Sequence, residues 1–95
     1  MAAYVIVQVE VTDWDRFREY LKEVPRIIKH YGGKYLARGG ETVMLEGSDQ
    51  PRRVVLIEFP SLQQAKDWYH SPEYQQIKTL RAGAAAGTIT AIEGC

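Results

Sequence analysis

Arg38, which two glycines follow, is the first residue of the sequence whose surroundings indicate ligand binding. Its planar guanidinium suits two-point recognition of a carboxylate or another anion, and the glycines leave room beside it. The same side chain could instead form an ion pair within its own chain, with Glu41, Glu46 or Glu58 as the partner. Both interpretations stay open from the residues alone.

Glu58 and His70 are the two residues that could move a proton. Glu58 interrupts the apolar run RVVLIEF, where a carboxylate must be paired, protonated or facing a cavity. In a pocket, desolvation would raise its pKa towards the range of a general base. The alternative is a pair with Arg38, with Arg53 or across a subunit contact. Histidine is the side-chain type that can change its charge near neutral pH, but His70 directly precedes a helix-capping serine, which favours a solvent-facing turn residue.

Aromatic side chains with polar tips cluster in the second half of the chain and near Arg38. They could form the walls of a ligand site, and the same rings could instead be core residues whose hydroxyls are hydrogen-bonded. The candidate ligand-binding residues are Arg38, Tyr35, Trp68, Tyr69 and Tyr74.

Several classes of function are disfavoured by composition and spacing. The formal net charge is zero, which predicts neither nucleic acid nor an anionic membrane as a partner. His30, His70 and the single Cys95 have no metal-ligand spacing, and the glycine pairs match no phosphate-binding or dinucleotide motif, so we expect no metal and no cofactor. One cysteine and no secretory leader pattern at the N-terminus predict a cytoplasmic protein.

The elements that must position these residues can be read from periodicity. Residues 3–11 alternate, with four valines on one face and Tyr4, Ile6, Gln8 and Glu10 on the other, which predicts a strand. Apolar residues then recur every three or four positions from Trp14 to Tyr31, which predicts a helix. We expect Thr12 to cap it together with Asp15, Pro25 to kink it, and a glycine pair at 32–33 to end it.

The second half predicts short strands and two capped helices. Lys34–Arg38 is expected to be a strand, with Thr42–Glu46 as its continuation or partner, and residues 53–59 form a strand that is apolar on both faces. Ser61 with Gln64, and Ser71 with the proline after it, predict two successive helix starts. Residues 82–86 have no pattern, and 87–93 indicate a last edge strand.

This order, β-α-β-β-α-β in one domain of residues 1–95, is that of the ferredoxin-like α+β plait. Two helices cover only one face of its antiparallel sheet, yet the central strand is apolar on both faces. An uncovered apolar face usually marks an interface, so we expect a homodimer packed sheet to sheet.

A wider pattern of residues resembles one known family. LARGG at 36–40, LEG at 45–47 and the long run from Arg52 to Gln75 resemble domain-of-unknown-function family 1330. The resemblance covers nearly the whole chain and implies a dimeric α+β barrel, in which two ferredoxin-like units join their sheets. Relatives of that architecture include cofactor-free monooxygenases and haem-binding enzymes, an analogy of fold rather than of site.

Two hypotheses of function follow. In the first, the dimer binds a small anionic or aromatic organic molecule, with Arg38 as the anchor, Glu58 or His70 for proton transfer, and the aromatic rings as walls. Such a protein could be a cofactor-independent enzyme. In the second, the protein is a non-catalytic assembly or regulatory module whose chemistry is self-association. A cavity that converges on Arg38 would favour the first.

Overall fold

Strands and helices follow one another in the predicted order within residues 1–48 and 52–95, the part of the chain that the computed structural model describes. The elements are β1 (Ala3–Val11), α1 (Trp14–His30), β2 (Lys34–Arg38), β3 (Arg53–Phe59), α2 (Leu62–His70), α3 (Pro72–Lys78), a 3-10 turn (Thr79–Arg81) and β4 (Ala85–Glu93).

The strands form one antiparallel sheet in the order β2-β3-β1-β4. β1 is central and pairs along its whole length with β4, from Ala3 opposite Glu93 to Val11 opposite Ala85. β2 is short and pairs only with β3, and a bulge lies between Tyr35 and Ala37. This is the α+β ferredoxin-like fold that the sequence predicted.

The two faces of the sheet differ in their cover. One face carries the buried core residues of β1 and β3, among them Val5 and Ile57, and packs against the helices. The opposite face, called the open face below, faces away from the helices. Register and alternation place on it Tyr4, Ile6, Val54, Leu56 and Glu58.

Helix α1 begins one residue later than a cap at Thr12 would require. The cap is Asp13, whose carboxylate accepts the backbone N–H of Arg16, so the predicted capping by Thr12 is wrong. Thr12 instead donates its hydroxyl to the carbonyl of Ala84, which lies in the turn before β4. The helix is continuous through Pro25, and the kink stays a prediction. Gly32, at a φ of 84°, ends the helix as expected.

The two serine caps of the second half are confirmed. Ser61 accepts the N–H of Gln64, and Ser71 accepts the N–H of Tyr74 while donating to the carbonyl of Trp68 at 2.7 Å. The side chain of Gln64 does not return to the amide of Ser61 as a full capping box would. Its amide group donates to the carbonyl of Tyr31 instead.

The segment after β2 is the main departure from the predicted elements. No residue of Thr42–Glu46 is in a strand, so the prediction of a strand there, as the continuation or the partner of β2, is wrong. The outer edge of β2 has no strand beside it within the described residues, and Val43 and Leu45 remain exposed. Of the predicted turn at 47–52, residues 49–51 lie outside the described residues. β4 begins at Ala85, two residues before the predicted start.

Candidate ligand-binding cleft

A narrow cleft lies between α1 and the helix-covered face of the sheet. Its volume is about 40 Å³, and most of its lining is apolar. The apolar walls include Val9, Val55 and Ile57 from the sheet, and Phe17, Leu21 and Val24 from α1. The polar contribution comes from Tyr20, Tyr35, Arg38, Arg53 and Trp68.

Two arginines of the cleft are held by aromatic rings. The guanidinium of Arg38 lies 4.5 Å from the centre of the Tyr35 ring, and that of Arg53 lies 5.8 Å from the centre of the Trp14 ring. Within residues 1–48 and 52–95, neither arginine forms an ion pair with a carboxylate. The ion pairs of Arg38 with Glu41, Glu46 or Glu58 that the sequence allowed are therefore absent from that part of the chain.

Strand register explains why these side chains meet. Tyr35 lies opposite Ile57 and Arg38 opposite Val55, on either side of the bulge, so both share the helix-facing side of β3. Arg53 lies opposite Val9 on the same side. Gly39 passes directly beside the guanidinium of Arg53, where a Cβ would collide with it. The missing side chain at position 39 thus leaves space for the second arginine.

Three buried hydrogen-bond donors have no partner in the described part of the chain. Nε of Arg53 and Nε1 of Trp68 belong to residues that line the cleft, and the third donor is Nε of Arg81. A buried donor without an acceptor costs about 1–3 kcal/mol, so such atoms call for an explanation. A ligand or a water molecule bound in the cleft would supply the missing acceptor and so explain the unpaired donors of Arg53 and Trp68.

A pair of tyrosines lies at the inner side of the cleft. The hydroxyls of Tyr20 and Tyr74 are 2.8 Å apart and buried, and Nη2 of Arg81 donates to the Tyr74 hydroxyl at 3.4 Å. Burial, followed by the interaction with Tyr74, raises the pKa of Tyr20 well above its ordinary value. Burial also raises the pKa of Tyr35, an effect that Arg38 and Arg53 oppose. The hydroxyls of Tyr20 and Tyr35 are therefore protonated at neutral pH.

Of the residues proposed from the sequence to bind ligand, Tyr35, Arg38 and Trp68 come together in the cleft. Tyr74 lies behind it, fully buried, and reaches it only through Tyr20. Tyr69 packs against Trp68 and Tyr74 and accepts a hydrogen bond from Nζ of Lys78, away from the lining.

The two residues proposed for proton transfer lie outside the cleft. Glu58 faces the open side of the sheet, where its carboxylate is 3.1 Å from Nζ of Lys34. This partner is not one of those considered from the sequence. His70 is exposed at the end of α2, with its ring edge-on to Tyr69.

Sequence reasoning missed Tyr20, Arg81 and the binding position of Arg53. Tyr20 follows Phe17 by three residues, so the helical spacing could have included it in the apolar stripe. Arg53 was considered only as an ion-pair partner of Glu58. No local signal connects Arg81 with Tyr74, because that contact depends on how the 3-10 turn packs against α1 and α3.

The described residues contain no cluster of three or more histidine, cysteine or acidic side chains that could hold a metal ion. In the same residues, no helix combines the length and the apolar character needed to cross a membrane.

The fold and this cleft define a ferredoxin-like α+β domain with one sheet face beneath its helices and the other uncovered. The chain belongs to the DUF1330 family, described as "Domain of unknown function", whose sequence profile matches residues 2–95. No curated protein matches the chain.

Solved structures with the same fold include proteins of several descriptions. A protein of unknown function from Rhodopseudomonas palustris is 18% identical, with a TM-score of 0.79 over 99% of this chain and 82% of its own. A dimeric ferredoxin-like protein of unknown function from Jannaschia sp. CCS1 is 11% identical, with a TM-score of 0.71 over 99% and 100%. SnoaB, a cofactor-independent oxygenase from Streptomyces nogalater, is 9% identical, with a TM-score of 0.67 over 99% and 93%. At these identities the likeness concerns the fold alone.

Proposed function

We propose that this protein is a homodimer that binds a small organic anion, of the carboxylate type, in the cleft between α1 and the sheet. The observation that carries the proposal is the pair Arg38 and Arg53. Both contribute to an otherwise apolar cleft, both are held by aromatic rings, and neither is neutralised by a carboxylate within the described residues. Arginine so placed suits an anion with an apolar body.

The size of the cleft indicates how such a molecule would lie. A volume of about 40 Å³ holds roughly three groups the size of a water molecule. A carboxylate has three heavy atoms. The acid group therefore matches this volume, and a larger apolar body would extend past the arginines into the groove that Arg53 shares with Trp14 and Met44.

Binding, rather than turnover, is the function that the geometry supports best. Glu58 and His70 were the candidates for moving a proton, and both lie outside the cleft. A cofactor-independent reaction on the bound acid, the finer form of this hypothesis, would have to use the groups that do line it. The description of SnoaB as an oxygenase supports testing for such a reaction through fold similarity only.

Titration of isotope-labelled protein with benzoate, followed by NMR, tests the binding proposal, with neutral benzamide as the ligand control. We expect benzoate to shift the signals of Tyr35, Trp68 and the arginine side chains, and benzamide to bind more weakly. Arg38→Met and Arg53→Met should each weaken binding of benzoate. Arg26→Met is the matched control, because Arg26 is exposed on α1 and pairs with Glu23.

Acetate and isobutyrate extend the titration to acids that occupy less space. If none of these acids shifts the signals of the cleft at millimolar concentration, the proposal is wrong. If the arginine variants bind as tightly as the control variant, the acid is bound elsewhere and the proposal again fails.

The open face supports the dimeric part of the proposal. It presents Tyr4, Ile6 and Leu56 next to one another across β1 and β3, and Ile92 of β4 is 55% exposed beside them. The Jannaschia protein and a ferredoxin-like protein from Bacteroides fragilis, 13% identical with a TM-score of 0.64 over 98% of this chain and 96% of its own, are both described as dimeric. Sedimentation at micromolar concentration should give twice the chain mass, and a monomer would contradict it.

The same face favours the second candidate, an assembly module without a ligand. That alternative predicts a dimer whose cleft binds none of the acids above, so the two experiments together separate the candidates. In either case we place the protein in the cytoplasm.

A further inference from the structure

A row of three hydrogen-bonded side chains runs from the 3-10 turn to the cleft. Arg81 donates from Nη2 to the hydroxyl of Tyr74 at 3.4 Å, and that hydroxyl is 2.8 Å from the hydroxyl of Tyr20. Arg81 also lies over the ring of Tyr20, at 5.5 Å from its centre. Tyr20 is the member of the row that lines the cleft.

The direction of the hydrogen bonds in this row follows from what each group can do. Arginine only donates, whereas a tyrosine hydroxyl has one proton to donate and can also accept. If Tyr20 donated to Tyr74, the proton of Tyr74 would have no acceptor in the described part of the chain, in a residue with 0% exposure. An unbonded buried hydroxyl is costly. The opposite direction leaves the free proton on Tyr20, the member of the row that lines the cleft.

We infer that Tyr20 donates its hydroxyl proton to the anion bound in the cleft, and that Tyr74 and Arg81 are positioning residues which fix the direction of this hydrogen bond. The inference rests on the proposed function, since it assigns a further contact to the same ligand. A tyrosine hydroxyl is protonated at neutral pH, and burial raises the pKa of Tyr20 further.

The consequence is a site rich in donors, in which the hydroxyl of Tyr35 is the lining group that could also accept. Arg38, Arg53 and the indole N–H of Trp68 can donate but not accept, and the row from Arg81 makes Tyr20 a donor as well. A deprotonated acid presents acceptors to all of them. The amide of the same acid presents an N–H₂ group to some of them, so the site selects the anion by geometry as well as by charge.

The ligand test compares Tyr20→Phe with the unmodified protein by calorimetric titration with benzoate. We expect about a ten- to hundredfold loss of affinity, the size expected for a hydrogen bond to a charged group. Tyr69→Phe is the matched control, because Tyr69 belongs to the same aromatic cluster but does not line the cleft, and it should bind benzoate unchanged. Tyr74→Phe keeps the Tyr20 hydroxyl but frees its orientation, so its loss should be smaller than that of Tyr20→Phe.

A ligand-free test determines the direction of the row independently. In an equal mixture of H₂O and D₂O, a tyrosine whose hydroxyl exchanges slowly gives two ¹³Cζ signals, and one that exchanges fast gives a single signal. We expect two signals for Tyr74 and one for Tyr20. Two signals for Tyr20 would overturn the inference, because its proton would then be held inside the row.

The outcomes separate the two proposals. Equal benzoate affinity in Tyr20→Phe and the control variant overturns the role of Tyr20 and leaves the arginine site intact. Absence of acid binding in the unmodified protein overturns the proposed function and, with it, the contact from Tyr20 to a ligand.

Discussion

The ammonium group of Lys34 lies 3.1 Å from the carboxylate of Glu58, across the pairing of β2 with β3 on the open face of the sheet. Because Glu58 lies on this face, the thickness of the sheet separates its carboxylate from the cleft. We therefore predict that Glu58→Gln changes benzoate affinity less than twofold, whereas Arg38→Met lowers it about tenfold or more. Calorimetric titration of the two variants checks this. A loss of affinity in Glu58→Gln equal to that in Arg38→Met would contradict this and would show that Glu58 takes part in binding.

Gly39 provides a test of how the second arginine is positioned. Its φ is 69°, and an added Cβ would meet the guanidinium of Arg53. Gly39→Ala should therefore lower the free energy of unfolding by about 1–2 kcal/mol and weaken benzoate binding, because Arg53 must move. Gly40→Ala is the matched control, since nothing lies within 4 Å of a Cβ at that position.

Urea denaturation and benzoate titration of both glycine variants give the two quantities. Equal behaviour of Gly39→Ala and Gly40→Ala in both measurements would show that the close approach of Arg53 to residue 39 has no part in the site.

We expect the protein to lose stability at alkaline pH because Tyr20 is buried. The pKa of Tyr20 is raised in the folded protein from an ordinary value of 10.0, so above pH 10 the unfolded chain releases a proton that the folded chain retains. Stability is then fully present below pH 10 and falls as the pH rises, by up to about 1.4 kcal/mol per pH unit for one such group.

Urea denaturation of unmodified protein and Tyr20→Phe between pH 8 and pH 11.5 measures this slope. The variant should lose stability less steeply, with a residual slope from Tyr35, whose pKa burial also raises. Identical slopes for the two proteins would contradict the assignment to Tyr20.

The elements could be predicted where the signal was local. Alternation along residues 3–11 gave β1 with its ends, and the serines at 61 and 71 gave the starts of α2 and α3, because a cap depends on neighbours three residues away. Thr42–Glu46 could not be judged in this way. A strand needs a neighbour to pair with, and the local pattern does not tell that the outer edge of β2 stays unpaired within the described residues.

The site was predicted only in part for a similar reason. β3 is apolar on both faces, so its own pattern does not tell which side of the sheet Glu58 or Arg53 faces. The answer comes from the pairing of Tyr4 with Glu58 and of Val9 with Arg53, and register is a tertiary property. Tyr35 and Arg38 share a face although they are three residues apart, because of the bulge between Tyr35 and Ala37.

We expect the loss of the buried cap at Ser71 to lower stability more than the loss of the more exposed cap at Ser61. Ser71 is 4% exposed, accepts the N–H of Tyr74 and donates to the carbonyl of Trp68. Ser71→Ala leaves a buried N–H without an acceptor and should cost about 2 kcal/mol, whereas Ser61→Ala should cost about 1 kcal/mol or less. Urea denaturation of both variants provides the comparison, and a larger cost at Ser61 would contradict it.

Leu56 is the residue with which to test the open face as a dimer interface. It lies opposite Ile6 of β1 and Ala37 of β2, on the face away from the helices. In a sheet-to-sheet dimer, Leu56→Glu would move a carboxylate out of water against apolar side chains, which opposes association strongly. We expect the dimer dissociation constant to rise by about 100-fold or more, measured by sedimentation over a dilution series.

Gln76→Glu is the control for the added charge, because Gln76 is exposed on α3, on the helical side of the sheet. It should leave the dissociation constant unchanged. Because the cleft lies on the opposite face from Leu56, a monomeric Leu56→Glu variant should still bind benzoate if one subunit supplies the whole site. Loss of both properties together would mean that the site is complete only in the dimer. An unchanged dissociation constant in Leu56→Glu would place the interface elsewhere.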